Sequence, residues 1–205
     1  MKKVISFSLW GSKSMYWVGA LKNIQLAKTL YPEWICRFYV DRSSPPELIS
    51  TIQNADCEVI LMDTAEAFAG LFWRFYAADD TDVMICRDTD SRLSEREVRA
   101  VEAWLNTDHH FHIMRDHPQH HALIMGGMWG CRNMTGLKDL INQYPYKDLK
   151  GTDQLFLGRA IYPEIRESAM IHDSYYLFGD GVDFPTPRIN EEFVGKAFDQ
   201  YDTPL

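Results

Sequence analysis

Short runs of β-branched and aromatic residues alternate along the chain with longer segments whose apolar positions recur at helical spacing. This alternation predicts an α/β domain, a mostly parallel central sheet flanked by helices. Residues 4–8 read as the first strand, 16–30 as a helix stopped before Tyr31-Pro32, and 35–40 as the second strand. Residues 46–53 read as a helix opened by prolines, 57–62 as the third strand, and 65–78 as a helix rich in Phe72, Trp73, Phe75 and Tyr76. The fourth strand is expected over 82–87. Ser94 and Glu97 have the spacing of a capping box, which predicts a helix to about Asn106. Residues 111–115 and 123–130 read as strands, 135–143 and 153–160 as helices, and 170–172 as a last short strand. From Asp173 onward Gly, Pro and Asp dominate, so 181–205 is expected to be a tail wrapped over a single domain spanning 1–205.

Composition narrows the function classes. The 205 residues are 46% hydrophobic, ordinary for a chain that buries a core. Lys and Arg number 21 against 29 Asp and Glu, a net charge of -8 with no basic cluster, which argues against a nucleic-acid partner. No run approaches the ~18–20 apolar residues that span a bilayer. Met1-Lys2-Lys3 precedes only a brief apolar run with no small-residue cleavage site, so a soluble cytoplasmic protein is expected. Cys36, Cys57, Cys86 and Cys131 form no C-x-x-C pair and fit neither a zinc knuckle nor a disulfide scaffold; reduced thiols are expected.

The most informative segment is Arg87-Asp88-Thr89-Asp90-Ser91-Arg92 at the end of the fourth predicted strand. In extended chain, carboxylates at i and i+2 point to one side. Two converging carboxylates make a hard-cation site that leaves coordination positions for water and phosphate oxygens. A metal there can neutralise a diphosphate leaving group, worth several kcal/mol in the transition state. Spacing alone is equally compatible with solvated loop acids. Two cations and two anions beside a buried strand shift the balance, because ions are costly there unless paired or metal-bound.

With those residues in view, R-D-T-D-S-R resembles the D-x-D motif of nucleotide-sugar-dependent glycosyltransferases of the GT-A fold. Phe72-Trp73-Arg74-Phe75 is similar to the segment that, in the galactosyltransferase and glycogenin-like branch, carries an Arg reaching the donor. Residues 124–130 resemble that branch's N-A-G strand, although the Asn is absent; Asp153-Gln154 resembles its D-Q pair, and Ile171-His172-Asp173 its strand-end His. The closing H-F-x-G-x-x-K-P-W is only partly echoed, by His172, Phe178 and Gly179, with Arg188 a replacement for the missing Lys. F-W-R-F, F-H-I-M-R-D-H-P and G-G-M-W-G are also similar to segments of bacterial and large-virus glycosyltransferases.

The resemblance implies a metal-dependent transfer of a sugar from a nucleoside diphosphate sugar, UDP-sugar favoured, to a hydroxyl acceptor in polysaccharide or glycoconjugate synthesis. It implies Asp88, Asp90 and His172 as ligands of Mn²⁺ or Mg²⁺, the mixed O/N shell suiting Mn²⁺ better. It implies Ser8, Leu9, Trp10, Arg74, Asp88, Gly126, Gly127, Gln154 and Arg188 as donor contacts. Asp153, Asp90 and Arg74 are then the catalytic residues, with Asp153 orienting or deprotonating the acceptor hydroxyl.

Each assignment has a structural alternative. Trp10 serves equally as core. Arg74 suits a salt bridge to Asp79, Asp80 or Asp88, Asp153 a helix N-cap, Gly126 and Gly127 a strand bulge, and His172 a satisfied buried histidine. Six of the seven histidines lie between His109 and His121, but no H-E-x-x-H or cysteine pair accompanies them, so a zinc site there is not expected. Arg115, Asp116 and His117 are instead candidates for binding sugar hydroxyls. Two other function classes stand beside the leading one. One is a non-catalytic sugar- or nucleotide-binding module. The other is a D-x-D phosphohydrolase, disfavoured because three predicted strands precede the motif. A Walker-type NTPase is excluded for lack of its glycine-rich motif.

Overall fold

Strand β1 (Lys3–Leu9) sets the layering of the molecule, because its alternate side chains feed different cores. Ile5, Phe7 and Leu9 join an apolar cluster with α1 (Ser14–Leu30), α2 (Pro46–Gln53) and α3 (Glu95–Leu105). Val4 enters a second cluster with Phe72 and Phe75 of a 3-10 helix (Ala69–Asp80), Leu137 and Ile141 of α4 (Leu137–Gln143), and Phe156 of α5 (Thr152–Phe156). The sheet thus has helices on both faces. The computed structural model describes residues 1–63, 68–147 and 149–205.

The other strands are β2 (Ile35–Asp41), β3 (Glu58–Met62), β4 (Val83–Cys86), β5 (Phe111–Arg115), β6 (Trp129–Arg132) and β7 (Ala169–Asp173). Among the described residues the sheet has seven strands in the order β3-β2-β1-β4-β6-β5-β7. Pairings β1·β2, β1·β4, β2·β3 and β5·β7 are parallel, and β6 alone runs antiparallel to its neighbours β4 and β5. The predicted mostly parallel α/β domain is what the structure contains. The strand order reverses beside β1, where β1 runs to β2 on one side and β4 on the other. In open α/β sheets that switch point, at the carboxyl ends of the strands, is where ligands bind.

Several predicted boundaries move. The strand expected over 123–130 occupies only Trp129–Arg132, and residues 122–128 form a turn-rich connection crossing the carboxyl end of β4. The fourth strand ends at Cys86, so Asp88 and Asp90 lie in a turn and not in extended chain. The helix expected over 65–78 begins at residues outside those described; its described part is the 3-10 helix. The helix expected over 153–160 is longer and irregular: α5 continues through a π-helical turn (Leu157–Ile161) into α6 (Tyr162–Ile165). Ser94 caps α3 as expected, its Oγ accepting from the Glu97 N–H at 3.4 Å. The start of α4 is closed from a distance, Asp79 accepting from the N–H groups of Leu137 and Lys138 at 2.9 Å each.

Residues 197–202 contact the D-x-D turn and α1. The Phe198 N–H donates to the Asp90 carbonyl at 2.8 Å, Ala197 bridges Ser91, and Asp202 pairs with Arg92 and Lys22 at 2.9 and 3.3 Å. No helix among the described residues is long and apolar enough to cross a membrane, and all four cysteines are free thiols.

Candidate active site

The site begins with two serines on the polar positions of β1. Ser6 Oγ donates to the Arg74 carbonyl at 2.6 Å, and Ser8 Oγ accepts from the Arg74 N–H at 3.0 Å. Together they clamp the backbone of the 3-10 helix at one residue and fix the root of the Arg74 side chain. That chain is 4% exposed, and its guanidinium ends between two carboxylates. Nη2 donates to Asp153 Oδ2 at 2.9 Å and Nη1 donates to Asp88 Oδ1. Both anions outweigh the burial that opposes a buried cation and hold Arg74 protonated. Nε is buried without a partner among the described residues.

Gly126 and Gly127, in the connection before β6, close this cluster from above. A Cβ at Gly126 would lie against the Asp153 carboxylate and 2.6 Å from Arg74 Nη2. One at Gly127 would strike the Asp88 carboxylate and come within 2.9 Å of the Asp88 backbone nitrogen. The glycines are there because the backbone passes directly over charged groups. The structure therefore brings together five of the residues singled out in the sequence: Arg74, Asp88, Asp153, Gly126 and Gly127. Asp153 is 2% exposed and is not the helix cap; Gly151, in the left-handed region at φ 77°, holds that position. Burial raises the Asp153 pKa and Arg74 opposes the rise.

Asp90 stands next to Asp88 across the turn, which is pinned by Ser91 Oγ donating to the Asp88 carbonyl at 2.9 Å. Burial first, and then the charge of Asp88, push the Asp90 pKa up to about 6. Crowded carboxylates of this kind are relieved by a cation, so the pair fits a hard divalent ion. The third expected ligand does not join it. His172 is 1% exposed, and its Nδ1 lies 2.8 Å from His112 Nε2, with Phe184 against its ring. Among the described residues no three His, Cys, Asp or Glu side chains converge on a metal position. The bland reading of His172, a partnered core histidine, is the one the geometry supports.

Other expected contacts also move. Leu9 is fully buried and can offer only backbone groups. Trp10 is half-buried, its ring laid on Gly70 and edge-to-face with Phe68, which leaves its core role the better supported. Arg188 is away from the Arg74 cluster: Nη2 donates to Asp116 Oδ1 at 3.1 Å and Nη1 to Tyr175 at 2.9 Å. Arg115 and Asp116 are fully buried and structural. Arg115 pairs with Asp173 and Asp180 at 3.2 and 2.6 Å, and Asp116 takes a two-pronged bond from Arg96 at 2.8 and 2.9 Å. Burial would raise the Asp116 carboxyl, yet bonds from Arg96, Ser174, Val194 and Arg188 keep it below the usual range. His117 stacks on Phe193. Gln154 lines a cavity beside the site.

Four contributors escaped the sequence reading. Gly19 and Asn23, one turn apart on α1, form a seat for the D-x-D turn. A Cβ at Gly19 would collide with the Thr89 carbonyl, while Asn23 donates to the Ser91 carbonyl at 2.9 Å and accepts from the Leu93 N–H at 3.0 Å. A glycine inside a helix pattern was the available signal. Tyr16, on the same helix, has its hydroxyl pKa raised by burial and then by the charges of Asp90 and Asp88. His120 accepts from the Asp116 N–H at 3.0 Å; burial and then His117 lower its pKa to about 4, while Asp116 and Asp88 pull the other way.

This fold is shared with solved glycosyltransferases. The glycosyltransferase involved in the glycosylation of the major capsid of PBCV-1 matches over 84% of this chain and 82% of its own, with a TM-score of 0.53 at 14% identity. Glucosyl-3-phosphoglycerate synthase from Mycobacterium tuberculosis, solved with Mn²⁺ and uridine-diphosphate-glucose, matches over 92% of this chain and 72% of its own, with a TM-score of 0.52 at 11% identity. S. aureus TarS (residues 1–349) matches over 76% of this chain and 54% of its own, with a TM-score of 0.50 at 15% identity. No family model and no curated protein matches the sequence. The chain therefore has the glycosyltransferase fold that its D-x-D segment suggested, and at these identities the likeness speaks to fold alone.

Proposed function

We propose that the protein is a metal-dependent glycosyltransferase that moves a sugar from a nucleoside diphosphate sugar, a UDP-sugar favoured, to a hydroxyl acceptor. The observation that carries this reading is the Arg74 guanidinium held between Asp88 and Asp153 under the glycine backbone of 126–127, beside the crowded Asp88–Asp90 pair at the sheet's switch point. The enzyme from M. tuberculosis with this fold was solved with Mn²⁺ and UDP-glucose, which favours the same donor class here.

Asp88 and Asp90 would hold the divalent ion, Mn²⁺ or Mg²⁺, whose chemistry is to neutralise charge on the departing diphosphate. Gly19 and Asn23 fix the turn that carries both carboxylates, so their spacing is set before donor arrives. Arg74, anchored at its backbone by Ser6 and Ser8 and held charged between Asp88 and Asp153, would bring its planar guanidinium to the phosphate oxygens. Gly126 and Gly127 would bring their backbone, laid over the Arg74 cluster, close to the donor sugar. Asp153 keeps Arg74 aimed and orients the acceptor hydroxyl from its raised-pKa carboxylate.

The test is release of UDP from UDP-glucose with and without Mn²⁺. Turnover that needs Mn²⁺ and falls at least a hundredfold in Asp90→Ala supports the reading. Full activity after thorough chelation, or in Asp90→Ala, overturns it. Glycan binding indifferent to chelators and without turnover would instead identify a binding module.

A further inference from the structure

Two of the cavities on the described surface differ in the kind of charge that lines them. One, of about 530 Å³, is lined by Arg96 and Arg188, but both cations are spent on Asp116. The other, of about 540 Å³, lies between the connection that precedes β6 and the α5–π-helix segment. Its polar lining is Gln119, His121, Lys150, Gln154 and Arg159. No Asp or Glu lines it among the described residues, in a chain with 29 acids and a net charge of -8. Neither Lys150 nor Arg159 makes an ion pair or hydrogen bond with its side chain among the described residues, whereas most other Lys and Arg side chains do.

The cavity is joined to the site by chain connectivity. Met125 and Gln154 in its lining are adjacent in sequence to Gly126 and Asp153 of the Arg74 cluster. Arg159 comes from the π-helical turn Leu157–Ile161, a rare distortion that costs backbone regularity and recurs at functional sites. Two uncompensated cations with amide and imidazole donors, set on a partly apolar floor, are the chemistry that captures a phosphate ester and leaves the rest of the molecule in contact with apolar surface.

We propose that this cavity is the acceptor site and that the acceptor carries a phosphate group, held by Lys150 and Arg159 with its hydroxyl toward Asp153. The proposal rests on the glycosyl-transfer reading for its name as an acceptor site. The phosphate site itself does not.

The experiment is calorimetric titration of the full chain, with UDP and Mn²⁺ present to fill the donor site, using glucose 6-phosphate and glucose as probes. Glucose 6-phosphate is expected to bind measurably more tightly than glucose, and more weakly as salt rises. Each charge at such a half-open site is worth about tenfold, so reversing both in Lys150→Glu/Arg159→Glu loses upwards of about a hundredfold and Arg159→Lys keeps most of the affinity. Lys150→Gln and Arg159→Gln, each losing about tenfold, stand in if the double variant fails to fold. No preference for the phosphorylated probe, or unchanged affinity in well-folded charge variants, overturns the proposal. A separate titration of the wild type with UDP keeps the two readings apart. UDP binding without glucose 6-phosphate binding refutes this proposal alone. Glucose 6-phosphate binding without UDP binding refutes the transferase reading and leaves the phosphate site standing.

Discussion

Gly19→Ala tests the seat under the D-x-D turn through the sign of its effect. In an exposed helix interior, Gly→Ala gains up to ~1 kcal/mol from propensity and a less flexible unfolded chain. Here the new methyl would meet the Thr89 carbonyl, with the Thr89 carbonyl carbon and Arg92 Nη1 both at 2.9 Å. The first obstacle is backbone, so no rotamer change relieves it. Overpacking of this kind costs ~1–3 kcal/mol, and loosening the Asn23 bonds to Ser91 and Leu93 adds ~1 kcal/mol in all. Set against the propensity gain, the net is a loss of ~1–3 kcal/mol. For a chain of this size that lowers the melting temperature by roughly 2–10 °C. Because Thr89 separates Asp88 from Asp90, the Mn²⁺ concentration needed for half-maximal UDP release should rise as well. Gly158→Ala is the control: its methyl would make only ordinary contact with Leu123 at 3.8 Å, and it should be neutral or stabilising. A Gly19→Ala protein that melts at or above the wild type refutes the argument.

Arg74→Met leaves Asp88 and Asp153 without their shared cation, and removing one partner of a buried pair costs ~3–5 kcal/mol, so a clear fall in melting temperature with at least tenfold weaker UDP binding is expected by calorimetry. Ser94→Ala removes the α3 cap and should cost ~1 kcal/mol in urea unfolding without altering UDP affinity. Burial, with Arg96 adding to it, depresses the His172 pKa to about 4, below its unfolded value of ~6.5. A depressed histidine binds its proton more readily unfolded, so its contribution is full above pH ~6.5 and is lost as pH falls toward 4. The drop in melting temperature between pH 7 and pH 4.5 should therefore be smaller in His172→Gln than in the wild type.

Periodicity located most of the sheet and its parallel character, because β1, β2, β4 and β5 are apolar runs bounded by turn residues. It misplaced β6, since residues 123–128 are as apolar as a strand but spend their glycines passing over Asp88 and Asp153. The chemistry of the Arg74 cluster was legible because Arg74, Asp88, Asp153 and the two glycines sit at ends of recognisable elements. What composition hid were long-range partners. His172 meets His112 across the parallel pairing of β5 and β7, Arg188 meets Asp116 through the folded-back tail, and Asn23 reaches a turn some seventy residues away. Each of these bonds depends on topology, which no local spacing encodes. The i, i+2 argument assumed extended chain, whereas Asp88 and Asp90 sit together in a turn pinned by Ser91.

The proposed chemistry requires that Asp88 and Asp90 hold a divalent ion against a donor diphosphate gripped by Arg74. Calorimetric titration of UDP into the full chain, first with Mn²⁺ and then after chelation, measures it directly. The prediction is saturable UDP binding with Mn²⁺, weakened at least tenfold by chelation and to the same degree by Asp90→Ala in a protein that melts normally. UDP binding of equal strength with and without the metal, or no UDP binding by the folded wild type, would contradict it.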